Sequence, residues 1–98
     1  MAYKLIWSPT ARGDLHDIII FIARNNSEHA MSFGYEMISA TDQLQLFPEH
    51  GRVVPEYRNP DLREIIFRSY RIVYRVNHDR KVCEIARLWH SARGIPVL

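Results

Sequence analysis

Residues 63–76 read REIIFRSYRIVYRV, and residues 82–93 read VCEIARLWHSAR. Both stretches are rich in β-branched and aromatic residues, and polar turns separate their apolar runs. This composition is typical of strands in an antiparallel meander. We therefore predict strands at about Leu62 to Phe67, Tyr70 to Asn77 and Val82 to His90.

The middle strand has two different faces, because successive side chains of a strand point to opposite sides. One face carries apolar side chains: Tyr70, Ile72, Tyr74 and Val76. The other face carries Arg71, Val73 and Arg75. The pattern predicts a sheet with an apolar face under a layer of helices and a basic face that can meet an anionic partner.

The chain is short and only mildly basic. Its 98 residues predict one domain, residues 1–98, and its 47% hydrophobic content is enough for a core. The net charge is +2, whereas a dedicated nucleic-acid binder is usually more basic, so we expect the arginines to act through local clustering. The one cysteine, Cys83, rules out a disulfide within a monomer. With no signal peptide or membrane span in the sequence, we expect a soluble cytoplasmic protein.

The N-terminal half predicts a strand followed by two helices. Residues 3–7 alternate as a strand, and Ser8 and Pro9 are suited to the N-cap and first position of a helix that ends at Asn25-Asn26. Ser27 is predicted to cap a second helix that runs to about Leu46. Helices with so short a connection form an antiparallel hairpin.

Residues 47–61 hold three prolines and one glycine, which predicts a loop with a short extended piece at Arg52 to Val54. The tail, Ser91 to Leu98, contains Gly94 and Pro96, and we expect it to run irregularly along the edge of the sheet. The order β-α-α-β-β-β predicts an α+β domain, with a helical hairpin packed on one face of a small antiparallel sheet.

Few motifs of established chemistry are present. The five histidines and single cysteine lack zinc-site spacing, and no glycine-rich phosphate loop occurs, so we expect neither a metal nor another cofactor. Basic residues are the candidates that remain. Those on the predicted sheet are Arg63, Arg68, Arg71, Arg75, Arg87, Arg93 and His90. Guanidinium groups bind phosphate or carboxylate in a bidentate manner, and a histidine can move a proton during RNA cleavage. Alternatively, these arginines form a solvated face, paired in part with Glu64 and Glu84.

Several segments together resemble the RelE/ParE superfamily of toxins from type II toxin–antitoxin modules. They are Trp7-Ser8-Pro9-x-Ala11-x-x-Asp14-Leu15, Phe47-Pro48-x-x-Gly51-Arg52, residues 62–65 (LREI), residues 70–76 (YRIVYRV) and His90-Ser91-Ala92-Arg93. The resemblance covers nearly the whole chain and implies a bacterial toxin, associated with plasmid stabilisation. It also implies a cognate antitoxin, expected to be of the ribbon-helix-helix type, whose C-terminal segment wraps the toxin.

The superfamily contains two mechanisms, and the resemblance assigns residues to each. RelE-like members cleave mRNA on the ribosome, whereas ParE-like members poison DNA gyrase. The family's basic positions fall on Arg71, Arg68 and either Arg93 or His90. The paired lysines of RelE-like nucleases fall on Glu64 and Ile66, which cannot stabilise the charge of a phosphorane. A Glu, Arg, His set used by related nucleases has possible equivalents in Glu56, Arg63 and His90.

Three hypotheses follow. The first, which the lost lysines and the LREI strand favour, is a ParE-like toxin that binds gyrase and breaks no bond itself. The second is a ribosome-dependent mRNA endonuclease with Arg71 and Arg93 on phosphate, His90 as acid or base and Arg63 at the leaving group. The third is an inactive relative that only titrates the antitoxin. The surface facing the target or antitoxin is predicted to comprise Arg63, Arg68, Arg71, Arg75, His90 and Arg93.

Overall fold

The computed structural model describes residues 2–98, which form two helices and five strands. The elements in chain order are β1 (Lys4–Trp7), α1 (Pro9–Ala23), α2 (Ser27–Asp42), β2 (Arg52–Val53), β3 (Leu62–Phe67), β4 (Tyr70–Asn77) and β5 (Val82–His90). Short 3₁₀ turns follow α2 at Gln43–Gln45 and β5 at Ser91–Arg93. The three strands predicted in the C-terminal half are confirmed with their boundaries.

The strands form one sheet in the order β1-β5-β4-β3-β2. The β2–β3, β3–β4 and β4–β5 pairs are antiparallel, and β1 runs parallel to β5. The α+β fold with a helical hairpin on one face is confirmed. A purely antiparallel sheet was expected, but the sheet is mixed, because β5 lies beside β1 and runs in the same direction. The extended piece predicted at residues 52–54 forms the edge strand β2.

Local capping explains where the helices begin. The Ser8 side chain accepts a hydrogen bond from the Ala11 N–H at 3.0 Å, and Pro9 needs no acceptor, so α1 begins as predicted. The predicted cap of α2 is wrong by one residue. Asn26 is the N-cap, since its backbone is extended and its side chain accepts from the His29 N–H at 3.0 Å.

The main core lies between the hairpin and the sheet, as expected. It includes Ala11, Ile18, Phe33, Met37, Ile72, Tyr74, Val76, Cys83, Ile85 and Leu88. The opposite side of the sheet, called the outer face below, has a small apolar cluster of Val54, Leu62 and Val73. The outer face is therefore partly covered by the loop after β2, and this cover determines what the arginines can reach.

Candidate functional site

The predicted arginines do not share one open face. Arg63 pairs in register with Tyr74, whose ring belongs to the helix-side core, so Arg63 lies on the helix side of β3. Its Nη1 donates to the Gly51 carbonyl at 3.0 Å, and its Nε donates to the Pro60 carbonyl at 2.9 Å. The Arg63 side chain is only 16% exposed. It holds two loops together and points away from the outer face.

Arg71 lies on the outer face but is buried between two carboxylates. Its Nε donates to Glu64 Oε1 at 2.6 Å. Its Nη1 and Nη2 donate to the two Glu56 carboxylate oxygens at 2.9 and 2.6 Å. The side chains of Arg71 and Glu64 are 8% and 0% exposed. Both donor edges of the Arg71 guanidinium are therefore occupied in this structure, as in the alternative that pairs the arginines with Glu64, and its assignment to a phosphate stays a prediction.

Arg52 completes this arrangement, which we call the charge network: Arg52, Glu56, Glu64 and Arg71. Arg52 Nη2 lies 2.7 Å from Glu64 Oε2. The hydrogen bonds from Arg71 lower the pKa of Glu56 from its ordinary value of 4.5 to about 2. Bonding to Glu56, and then to Glu64, raises the pKa of Arg71. Two guanidinium groups thus meet two carboxylates within the charge network.

The C-terminal tail crosses the outer face and does not follow the sheet edge, so that expectation is corrected. The Gly94 carbonyl accepts from Arg71 Nη1 at 3.4 Å, and the Val97 carbonyl accepts from Arg87 Nη1 at 2.9 Å. Pro96 is buried, and its carbonyl accepts from the Tyr57 hydroxyl. Residues 94–98, called the strap below, therefore cross the outer face over Arg71 and Arg87.

His90 and Arg93 lie together in a different place. They line a cleft of about 220 Å³ beside α1, where Tyr70, Phe21 and Asp14 also contribute. His90 Nδ1 accepts from the Ala92 N–H at 3.0 Å, and the His90 ring packs edge-on against Tyr70 at 5.1 Å. The guanidinium carbon of Arg93 lies 3.9 Å from the centre of the Trp89 ring. The five candidate nuclease residues are thus spread over three environments.

The remaining predicted basic residues have separate surroundings. Arg68, in the turn between β3 and β4, pairs with Glu36 of α2 at 2.7 Å. Arg87 binds Asp14 of α1 through two N–H groups, at 2.9 and 3.1 Å. Arg75 is the most loosely paired of the three, since its side chain is 51% exposed and its Glu84 partner is 3.8 Å away. The structure does not bring the predicted basic residues onto one surface, and the roles assigned to them stay predictions.

Sequence reasoning missed two basic residues that accompany Arg75. Lys4 and Arg80 line the same hollow as Arg75 on the outer face. The alternation of β1 already placed Lys4 opposite Leu5 and Trp7. Only the parallel pairing of β1 with β5, which no local pattern indicates, brings Lys4 near Arg75.

Comparisons with known proteins place the chain in a class. The family model described as the ParE toxin of the type II toxin–antitoxin system parDE matches residues 5–95. A structure of the chromosomal ParDE system from P. aeruginosa superposes with a TM-score of 0.74 at 21% identity, covering 91% of this chain and 96% of that one. No curated protein sequence matched the chain.

Structures of RelE-type proteins are also similar. A free RelE variant from E. coli gives a TM-score of 0.66 at 17% identity, covering 96% of this chain and 88% of the other. The RelBE2 complex from Mycobacterium tuberculosis gives 0.59 at 22% identity, with 92% and 99% covered. No helix within residues 2–98 has the length and apolar character to cross a membrane.

The two helices on a five-stranded mixed sheet are thus the fold of RelE/ParE-type toxins. The family match over residues 5–95 is more specific: the chain belongs to the ParE toxin family of type II toxin–antitoxin systems.

Proposed function

We propose that this toxin arrests growth by binding DNA gyrase, without breaking a bond itself, and that a cognate antitoxin neutralises it. The proposal rests on the way in which the Arg71 side chain is bound and buried. Two carboxylates occupy its guanidinium, and its side chain is only 8% exposed. An arginine so engaged has no free pair of N–H groups for bidentate binding of a scissile phosphate.

The other candidate nuclease residues support the same conclusion. A general base works best when its pKa lies near the operating pH. The bond to Arg71 lowers the pKa of Glu56 to about 2, so that carboxylate is a poor proton acceptor near neutrality. Arg63 is bound to loop carbonyls on the helix side of the sheet. A reacting phosphate cannot contact Glu56, Arg63 and His90 together in this arrangement.

One observation favours mRNA cleavage as the second candidate. His90, Arg93 and Tyr70 line one cleft, which places an imidazole beside a cation and a phenol. Such a group of side chains can bind a phosphate and transfer a proton. The endonuclease hypothesis therefore rests on His90 and Arg93, without Glu56, Arg63 or Arg71.

The antitoxin proposal is supported by the related structures and by the surface of this chain. The similar P. aeruginosa and M. tuberculosis structures are of toxin–antitoxin systems. Several large apolar side chains are more than half exposed: Phe21, Met31, Tyr35, Leu46 and Phe47. Exposed apolar area of this kind suits an amphipathic helix docked in a groove. We propose a ribbon-helix-helix antitoxin whose C-terminal segment covers such residues.

The test is a pair of reactions with the same purified toxin. One measures supercoiling and DNA breakage by gyrase, and the other measures mRNA cleavage on programmed ribosomes. The proposal expects the toxin to inhibit gyrase and to leave the mRNA intact. After preincubation of the toxin with the protein of the neighbouring gene, gyrase activity and mRNA should both be as they are without toxin. If the toxin cleaves mRNA and leaves gyrase unaffected, mRNA cleavage becomes the favoured function in place of gyrase inhibition. A toxin indifferent to the neighbouring protein would contradict the antitoxin proposal.

A further inference from the structure

A separate hollow of about 310 Å³ lies on the outer face, where the ends of β1, β4 and β5 meet. We call it the basic hollow; its lining residues are Lys4, Ile6, Arg75, Asn77, Arg80, Val82 and Glu84. The strap contacts Arg71 and Arg87 farther along the sheet. The basic hollow is therefore distinct from both the charge network and the cleft beside His90.

The strand register explains why these side chains converge. In the parallel pair, Lys4 lies opposite Val82 and Ile6 lies opposite Glu84. In the antiparallel pair, Glu84 lies opposite Arg75. Residues opposite one another in neighbouring strands project to the same face. Three strands thus supply the walls and floor, and the β4–β5 turn adds Arg80.

Positive charge in the basic hollow is only partly neutralised. Within residues 2–98, neither Lys4 nor Arg80 has an ion-pair partner, and both are exposed. Arg75 and Glu84 are separated by 3.8 Å at side-chain exposures of 51% and 36%. An exposed ion pair at that distance contributes little to stability, so Arg75 remains available to another anion.

The floor of the basic hollow is apolar, which favours an anion that also carries an apolar group. Ile6 and Val82 are partly buried and lie between the cationic side chains. An aliphatic side chain can fill such a floor while carboxylates beside it reach the cations. We propose that the basic hollow binds a segment of a partner protein in which acidic side chains flank an aliphatic one.

A polypeptide fits these surroundings better than RNA does. A neighbouring hollow that Arg75 also lines contains Asp61 and Asp79, which would repel a phosphate backbone continuing across the face. No aromatic side chain is among the residues that line the basic hollow, whereas single-stranded RNA is usually held by stacking on aromatic rings. A short segment with a few carboxylates can end before the aspartates.

The test uses a labelled peptide in which glutamates alternate with leucines, titrated with the purified chain and followed by fluorescence anisotropy. A peptide with glutamine in place of each glutamate and a labelled single-stranded RNA serve as competing ligands. The expected result is preferential binding of the acidic peptide, weakening as salt rises. Arg75→Glu and Arg80→Glu should each reduce its affinity about tenfold.

Arg12→Glu is the matched control, because Arg12 is exposed on α1 and the substitution changes the net charge equally. It should bind the peptide like the wild type, and Arg75→Lys should retain most of the affinity. Thermal unfolding establishes that each variant is folded. The proposal is overturned if the acidic peptide does not bind, if the glutamine peptide or the RNA binds better, or if Arg12→Glu weakens binding as much as Arg75→Glu. The inference does not depend on gyrase being the target.

Discussion

Arg71 shows what strand alternation can and cannot predict about one residue. Alternation placed it on the face opposite the helices, and this is correct. Its two acidic partners come from β3 and from the loop after β2, 7 and 15 residues away in sequence. The pattern of a single strand contains no information about a loop that folds back over it. A residue that the endonuclease hypothesis assigns to a phosphate is therefore paired with two carboxylates instead.

Replacing Arg71 with alanine should strongly destabilise the protein. Glu64 has no exposed side-chain area, and the substitution would leave it with Arg52 alone. Removing one partner of a buried ion pair typically costs about 3 kcal/mol of unfolding free energy. Urea denaturation measures the loss, with Arg75→Ala as the exposed control expected to change stability by less than about 0.5 kcal/mol. Equal stability of the two variants would contradict the assignment of Arg71 to a buried network.

Glu56 should make stability depend on acid pH. Arg71 lowers its pKa in the folded chain from 4.5 to about 2, so the stabilisation is complete above pH 4.5. It is lost as pH falls from about 4.5 towards 2, because the carboxylate must then be protonated. The free energy of unfolding measured across this range should fall less steeply in Glu56→Gln than in the wild type. Identical slopes would show that Glu56 is not bound as described.

At the scale of elements, local signals were sufficient for most boundaries. Ser8 and Pro9 fixed the start of α1, and apolar alternation between polar turns fixed β3, β4 and β5. The parallel pairing of β1 with β5 joins residues nearly the whole chain apart, so it depends on tertiary packing. The path of the strap was missed for a similar reason: main-chain carbonyls accept its hydrogen bonds from Arg71 and Arg87, and a carbonyl leaves no pattern in the sequence.

Gly51 connects the loop before β2 to the sheet and should not tolerate a side chain. A Cβ there would lie 2.5 Å from the Glu64 carbonyl oxygen and 2.7 Å from the Tyr74 hydroxyl oxygen. Because a backbone atom must move, Gly51→Ala is expected to cost about 2 kcal/mol. Gly13→Ala, in α1 with nothing within 4 Å, should instead gain about 0.5–1 kcal/mol. Chemical denaturation compares the two, and equal effects would contradict the close packing at Gly51.

At the scale of the whole molecule, positive charge is divided among sites with different neighbours. The charge network is neutralised internally, and the His90 cleft combines Arg93 with two aspartates. The basic hollow retains two cations, Lys4 and Arg80, that have no ion-pair partner among residues 2–98. The net charge of +2 could not reveal this division. The division of positive charge among separate sites is consistent with a toxin that recognises proteins through shaped surfaces, as we propose for gyrase and for the antitoxin.

The central claim is that growth arrest does not depend on acid–base chemistry by this chain, and His90→Ala tests it most directly. Wild type and variant would be induced at equal levels in the same cells, and growth, gyrase-linked DNA breaks and mRNA integrity would be measured together. The account predicts that His90→Ala arrests growth and produces gyrase-linked breaks as the wild type does, with mRNA intact in both. A folded His90→Ala chain that is harmless, beside a wild type that cleaves mRNA, would contradict it.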